Sequence, residues 1–234
     1  MKIDYVRLEE LESKLGISFK DKALLNIAIT HSSFANQRKD IKYNERMEFL
    51  GDSVLQLTIT EYLFKNYKDK SEGALTKIRS LIVCENSLYE IAKLWNLGKY
   101  IYMSKGEEST GGRERVSIQA DCVEAIIAAI YLDKGFEDVK KYILKIFDKT
   151  IQKAIKNEII LDYKTKLQEL LQKNGEVCIQ YSLMKYEGPP HRRKFFINVF
   201  VNNEFKGEGS GFSKKEAEQI AAKNALCRME EDFE

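Results

Sequence analysis

Residues 44–55 read NERMEFLGDSVL, and in this stretch an apolar repeat of helical spacing coincides with three carboxylates. On a helix that turns about 100° per residue, Glu45 and Glu48 lie about 60° apart and Asp52 falls between them. The opposite face carries Met47, Leu50 and Val54. The pattern therefore predicts a core helix with an acidic stripe along one side.

Two features of this stretch indicate a closely packed neighbour and a need for cations. Gly51 costs about 1 kcal/mol in a helix interior relative to alanine, which is tolerated where a neighbouring element comes close. Carboxylates beside a core repel one another and lose hydration unless cations neutralise them. An acidic stripe on one helix is also typical of an ordinary solvated face, so this stretch alone leaves both interpretations open.

A second acidic pair lies in residues 120–132, which read ADCVEAIIAAIYL. Asp121 and Glu124 are three residues apart and share one helix face, whereas the rest of the segment from Cys122 onward is apolar. Hard oxygen ligands without His or thiolate are those that Mg²⁺ or Mn²⁺ prefers. Two such helices favour a shared metal site, although their spacing alone does not establish that they meet.

The composition favours a folded protein that acts where it is made. Hydrophobic residues make up 44% of the chain and charged residues 32%, a balance unlike that of disordered chains. The longest apolar stretch, at 125–132, is too short to span a membrane, and the first residues lack the apolar core of a signal peptide. Four cysteines without a CxxC pair favour reduced thiols over a zinc site. We therefore expect a cytoplasmic protein with no membrane contact and no organic cofactor.

The apolar periodicity divides the chain near residue 156. Before this point, helices are predicted at 5–15, 22–29, 46–67, 73–81, 87–95, 117–132 and 136–155, and a glycine-containing loop at 104–116. Beyond it, the pattern predicts a helix at 163–173, strands at 178–186, 194–201 and 204–208, and a last helix at 214–229. The fold class is thus mainly α, with an all-helical domain followed by a small α-β-β-β-α domain.

The formal net charge of only +2 does not by itself indicate a nucleic-acid-binding protein. Residues 160–230 hold 12 Lys and Arg against 9 Asp and Glu, which makes this part slightly more basic than the rest. The last helix opens with Ser213 and Glu216, a capping-box pair. Lys214 and Lys215 in its first turn are disfavoured by the helix dipole. They fit either a phosphate clamp or incidental lysines on a surface helix.

The stretch at 44–55 closely resembles the signature of the ribonuclease III family. Further stretches follow that family's order: ITHSS at 29–33, EG at 72–73, KGEE at 105–108, GGR at 111–113 and ADCVEA at 120–125. Gln119 departs from the pattern, in which an apolar residue is expected, but the acids themselves are intact. A signature of this length is far more specific than a pair of carboxylates.

The resemblance implies roles for six acids and a cofactor. Glu48, Asp52, Asp121 and Glu124 match the family's metal-binding carboxylates, among which Asp52 and Glu124 are expected to be catalytic. Glu45 and Glu72 match supporting acids in a cleft at the subunit interface. The implied cofactor is Mg²⁺, for which Mn²⁺ can substitute.

His31 invites a role as a general base. A structural or hydrogen-bonding role is favoured, because a divalent ion activates water without help from an imidazole.

Residues 162–229 resemble a double-stranded-RNA-binding domain, through DYKTKLQEL at 162–170, GPPH at 188–191 and KKEAEQIAA at 214–222. Such domains read A-form shape across about 16 base pairs and little sequence. The implied RNA contacts are Thr165, Gln168, Glu169 and Gln172 on the first helix, His191 and Arg192 after the first strand, and Lys214 and Lys215 on the last helix. Phe195 and Phe196 are expected to pack in the core.

The resemblance predicts a catalytic domain at 4–136, a trailing helix and linker at 137–161, and an RNA-binding domain at 162–231. It implies a metal-dependent homodimeric endonuclease that cuts double-stranded RNA to 5′-phosphate and 3′-hydroxyl ends, in the processing of ribosomal RNA and other transcripts. The rival hypothesis is a non-catalytic double-stranded-RNA-binding scaffold. Loss of matched acids would mark such a scaffold, and none is missing.

Overall fold

The computed structural model describes residues 4–36, 41–156, 163–172, 177–189 and 193–231. The chain forms two compact units, Met1–Glu158 and Ile159–Glu234. The first is helical and the second combines helices with a sheet, which confirms the predicted fold class. No helix within the described residues is long and apolar enough to cross a bilayer.

The first unit is built from helices and two short 3-10 turns. The helices are α1 (Tyr5–Leu15), α2 (Lys22–Ala28), α3 (Ser32–Ala35), α4 (Glu45–Asn66), α5 (Glu72–Ile82), α6 (Glu85–Trp95), α7 (Lys105–Ser109), α8 (Val116–Lys134), α9 (Phe136–Ile146) and α10 (Asp148–Ile155). The 3-10 turns are Leu97–Lys99 and Gly112–Glu114.

Helix α8 forms the centre of this unit. It packs against α2, α4, α6 and α9, and its middle is buried from Ala125 to Ile130. A helix that is apolar on every side can be stable only when neighbours cover all of its faces. The near-continuous apolar pattern of this segment therefore determines its central position.

Two sequence predictions for this unit need correction. The segment 104–116 is not a plain loop, because Ser104 caps α7 by accepting a hydrogen bond from the Glu107 N–H at 3.1 Å. The S-x-x-E spacing was a signal for this helix. The helix predicted at 136–155 is interrupted at Phe147, where the backbone has ψ near 0° and the side chain is fully buried.

The second unit has the predicted α-β-β-β-α order. It contains α11 (Tyr163–Gln172), β1 (Ile179–Glu187), β2 (Lys194–Val201), β3 (Glu204–Gly211) and α12 (Lys214–Glu231). The strands form an antiparallel sheet in the order β1-β2-β3. Asn202 and Asn203 connect β2 to β3 with positive φ at both positions, the geometry that tight hairpin turns require.

Helix α12 lies very close to the sheet. A Cβ atom placed on Gly209 would be 2.2 Å from the Ala221 backbone nitrogen, and one on Gly207 would be 2.7 Å from the Ala221 carbonyl oxygen. The alanines of α12 that recur every four residues are fully buried. Small residues on both elements therefore allow the backbones to approach, and the core is completed by Leu167, Ile197 and Val199.

Candidate metal centre and RNA-binding surfaces

Helices α4 and α8 cross in direct backbone contact at Gly51. An ideal Cβ at this glycine would lie only 1.8 Å from the carbonyl oxygen of Glu124, so only hydrogen fits there. The crossing places Glu48 and Asp52, on either side of Gly51 along α4, next to Glu124 on α8. The close neighbour that the glycine predicted is thus the helix that carries the second acidic pair.

Glu124 lies at the centre of a cluster of mutually repelling carboxyls. Burial, together with the charges of Asp52, Glu48 and Asp121, raises its pKa to about 8. Each of these three groups lies near enough to disfavour a negative charge on Glu124. The structure therefore brings the two acidic pairs into one electrostatic environment.

The other acids show the same coupling. Burial raises the pKa of Glu48, and the charges of Asp121, Glu45 and Asp52 add to this effect. Burial also raises the pKa of Asp121, and the charge of Glu85 contributes. Glu85 opens α6 and is an acid that the motif did not indicate; only the packing of α6 against α8 places it here.

This donor set suits a divalent cation. Half-buried carboxylates that raise one another's pKa are stabilised when a cation replaces their protons, and an all-oxygen set fits Mg²⁺ or Mn²⁺. Among the described residues, no three His, Cys, Asp or Glu side chains already converge as a ligand cluster. The acids are coupled through space, and side-chain rotation is needed for them to share an ion.

His31 has a structural position beside this cluster. Its Nδ1 caps α3 by accepting the Ser33 N–H at 3.3 Å and lies 2.8 Å from the Ser33 hydroxyl. That hydroxyl oxygen also accepts the Ser104 N–H at 3.1 Å, so its proton is free to be donated to Nδ1. The ring also lies close enough to Asp121 that a positive charge on it would offset part of the rise in the pKa of that acid. These contacts support the hydrogen-bonding role over that of a general base.

Gln119, the departure from the family pattern, has a hydrogen-bonded position inside the first unit. Its side chain is buried and donates from Nε2 to the Arg113 carbonyl oxygen at 2.6 Å. Arg113 in turn donates to the Gly98 carbonyl oxygen at 2.7 Å. The buried amide is therefore satisfied by hydrogen bonding, which explains why a polar residue is accepted at this position.

The two supporting acids lie apart from each other. Glu45 is exposed in the first turn of α4 and contributes to the raised pKa of Glu48. Glu72 is exposed in the first turn of α5, where it accepts a hydrogen bond from the Thr76 hydroxyl at 3.0 Å. It lines a cavity of about 460 Å³ between α4 and α5. Of these two acids, Glu45 is therefore the one that is coupled to a central acid, Glu48.

In the second unit, α11 presents the predicted RNA-contacting residues to solvent. Thr165, Gln168, Glu169 and Gln172 are all exposed. Gln168 and Gln172 line a cavity of about 240 Å³, together with Lys164 and Tyr181. The helix therefore offers a polar face of the kind that contacts 2′-hydroxyls.

The first turn of α12 exposes both predicted lysines. Lys214 and Lys215 are open to solvent, whereas Ser213 caps the helix by accepting the Glu216 N–H at 3.1 Å. Glu216 reaches back to the Phe212 N–H at 2.7 Å, one residue before the position that a standard capping box uses. Cationic side chains and a helix N-terminus thus occur together, which suits a phosphate group.

Two predicted contacts, His191 and Arg192, lie outside the described residues. Nearby, Phe195 packs against the domain core as expected, but Phe196 does not. Its ring lies on the other side of the sheet between two cations, with the Lys185 and Lys194 ammonium groups 4.7 and 5.5 Å from its centroid. Alternation along β2 separates these neighbouring rings.

Comparison with known proteins agrees with this arrangement of two domains. The Ribonuclease-III-like family profile matches residues 21–150, and the double-stranded RNA binding motif matches residues 163–229. Ribonuclease 3 of Clostridium botulinum strain Alaska E43 is 68% identical over 228 residues, which cover 97% of this chain and 98% of that relative. The chain belongs to the ribonuclease III family. In function it is a double-strand-specific endoribonuclease of that family.

Further relatives extend the family likeness. Ribonuclease 3 of Clostridium beijerinckii is 71% identical over 223 residues, covering 95% of this chain and 96% of the relative. Among solved structures, the nuclease domain of ribonuclease III from Campylobacter jejuni is 48% identical and has a TM-score of 0.58. The matched region covers 61% of this chain and 97% of the solved domain. The family likeness therefore extends over nearly the whole chain.

Proposed function

We propose that this ribonuclease III family member hydrolyses double-stranded RNA at a Mg²⁺ centre formed by Glu48, Asp52, Asp121 and Glu124, and that Mn²⁺ can replace Mg²⁺. The observation that carries the proposal is the crossing of α4 and α8 at Gly51, where a Cβ atom would lie 1.8 Å from the Glu124 carbonyl oxygen. Two acidic pairs from distant parts of the sequence face each other because of this contact.

Glu48, Asp52, Asp121 and Glu124 would hold the divalent cation, which would supply Lewis acidity for activation of the attacking water and for stabilisation of the leaving oxygen. The contribution of the chain is to hold the backbones of the four acidic residues at fixed positions on two rigid helices, within reach of a shared ion. With Glu124 in its acid form near neutral pH, its proton must leave before the carboxylate can bind a cation. Water attack on phosphorus accounts for 5′-phosphate and 3′-hydroxyl ends.

The second unit recognises the duplex in this proposal. The exposed polar face of α11 suits 2′-hydroxyls in a minor groove, and Lys214 and Lys215 suit backbone phosphates. His191 and Arg192 are proposed to contact the next minor groove, as the family resemblance implies. Neither contact set reads base edges, so the proposal is shape recognition with little sequence preference.

A second copy of the chain completes the proposed enzyme. Phe49, directly after Glu48, exposes 78% of its surface, and Leu57 and Phe64 expose 57% and 71% along the same helix. Large apolar side chains that cluster on one exposed side mark an interaction surface. The solved Campylobacter jejuni domain is described as having a region involved in dimer formation. We place a symmetric interface here, with Glu45 and Glu72 at the edges of a shared cleft.

The proposed location is the cytoplasm, where the processing of ribosomal RNA and other structured transcripts is the proposed task. All four cysteines are free thiols in the structure, and reduced thiols are typical of a reducing compartment.

A cleavage assay with Glu124→Gln tests the proposal. The unaltered chain is expected to cut a long RNA duplex in Mg²⁺ and to stop when EDTA is added. Glu124→Gln keeps the size of the side chain but removes its charge, so cutting should be lost while duplex binding in a gel-shift experiment is kept. Binding without cleavage by the unaltered chain at every divalent ion would favour the scaffold hypothesis. Equal loss of binding and cutting in the variant would contradict the separation of roles between the two units.

A further inference from the structure

The Asp52 carboxylate has a partner one helical turn further along α4. The side-chain nitrogen of Gln56 lies 2.9 Å from Oδ1 and 2.9 Å from Oδ2 of Asp52. Both side chains are half-buried, so water competes weakly with this hydrogen bond. One amide therefore contacts both oxygens of a carboxylate in the candidate metal centre.

Asp52 differs in this respect from the other three acids. Glu48, Asp121 and Glu124 receive no side-chain or backbone hydrogen bond from any part of the chain that the structure describes. Their pKa values are raised by burial and by neighbouring carboxylates. Among these four acids, Asp52 is thus the one whose orientation is supported by a hydrogen-bond donor from the part of the chain that the structure describes.

We propose that Gln56 is a positioning residue that holds Asp52 ready to bind the metal ion, an inference that rests on the proposed function. An ionised carboxylate has about four lone-pair sites. The Gln56 nitrogen contacts one lone-pair site on each Asp52 oxygen, so the remaining lone-pair sites are available to a cation. Outer hydrogen bonds of this kind fix metal ligands in orientation, and their removal typically costs about 10- to 100-fold in metal affinity or activity.

The chemical type of the partner matters as much as its position. A neutral amide donates to the carboxylate without adding a positive charge that would repel the metal ion. A lysine or arginine one turn away would instead compete with the cation for Asp52. Gln56 therefore stabilises the ligand while it leaves the negative charge of the cluster available.

Replacement of Gln56 tests this role by metal binding as well as by activity. Gln56→Met keeps the length of the side chain and removes the donor, whereas Gln56→Asn keeps an amide that is one methylene too short. Gln152→Met, at an exposed glutamine on α10, is the matched control. Binding of Mn²⁺ by the full chain without RNA is measured by titration calorimetry. The Mg²⁺ concentration for half-maximal cleavage is measured in parallel.

We expect about 10-fold weaker Mn²⁺ binding for Gln56→Met, a smaller loss for Gln56→Asn and no change for Gln152→Met. The maximal cleavage rate at saturating Mg²⁺ should fall much less than the affinity, and the metal-free melting temperature should stay near that of the unaltered chain. Unchanged Mn²⁺ binding in both Gln56 variants would overturn the role of Gln56 alone. Failure of the unaltered chain to bind Mn²⁺ would overturn the metal centre itself.

Discussion

Replacement of Gly51 by alanine is the most direct perturbation of the contact on which the metal centre depends. The added Cβ would lie 1.8 Å from the carbonyl oxygen of Glu124, 2.5 Å from its carbonyl carbon and 3.2 Å from its Cα. All three atoms belong to the backbone of α8, so no side chain can rotate away. To reach an ordinary contact of about 3.4 Å, the two helices must separate locally by roughly 1.6 Å.

Two opposing effects determine the stability of Gly51→Ala. Alanine gains about 1 kcal/mol of helix propensity over glycine. Overpacking of a core typically costs about 1–3 kcal/mol and occasionally more, and a rigid backbone neighbour puts this site above that range. We therefore expect a net loss of about 2 kcal/mol or more in the free energy of unfolding. For a chain of this size, that loss lowers the melting temperature by roughly 4–8 °C.

The expected effect on catalysis is larger than the effect on stability. A displacement of about 1 Å between reacting groups can cost about 100-fold in rate, and the clash separates the two acidic pairs by at least this distance. Cleavage of a duplex at saturating Mg²⁺, measured well below the melting temperature, should therefore fall by about 100-fold. Duplex binding should stay unchanged, because the second unit is untouched.

Gly73→Ala is the matched control. Gly73 lies in α5, and a Cβ placed there meets no atom within 4 Å. Its replacement should therefore leave cleavage unchanged and raise stability by at most about 1 kcal/mol. The reasoning would be refuted if Gly51→Ala were as stable and as active as Gly73→Ala.

Three further predictions concern pH, assembly and the RNA-binding unit. The folded-state pKa of Glu124, about 8, lies above its ordinary value of 4.5, so the folded state retains a proton that the unfolded state has already lost between these pH values. The melting temperature of the protein in EDTA should therefore fall as pH rises from 5 to 8. Glu124→Gln should make the melting temperature depend less on pH. An equally steep pH dependence in the variant would assign the effect to other groups. Phe49→Asp should convert the proposed dimer to a monomer, as measured by analytical ultracentrifugation. Leu94→Asp, at an equally exposed apolar residue on α6, is the control and should remain a dimer. A dimer that persists in Phe49→Asp would place the interface elsewhere. Truncation after residue 157 should weaken duplex binding most at physiological salt, because phosphate contacts depend on salt; unchanged affinity would remove the RNA-binding role from the second unit.

The amino-acid sequence by itself determined the fold class and the acids of the candidate site. Helical and strand periodicities are local properties, so they predict α4, α8 and the order of elements in the second unit without knowledge of long-range contacts. Gly51 also indicated close packing, because glycine in a helix interior costs about 1 kcal/mol relative to alanine. The alanines that recur every four residues along α12 indicated a face that can approach a sheet closely. The packing of Phe196 was wrongly predicted, because neighbouring residues on a strand point to opposite faces of the sheet and Phe195 already faces the domain core.

Tertiary structure decided which groups meet at the stretch around Gly51. The coupling of Glu85 to Asp121 arises from the packing of α6 on α8, and no spacing within the sequence encodes that distance. Gln56 could have been placed one turn from Asp52 on a helical wheel, but its contact with both carboxylate oxygens depends on the rotamers of the two side chains. Electrostatic repulsion and burial act through space, so the raised pKa of Glu124 follows from the crossing of two helices and not from either helix alone.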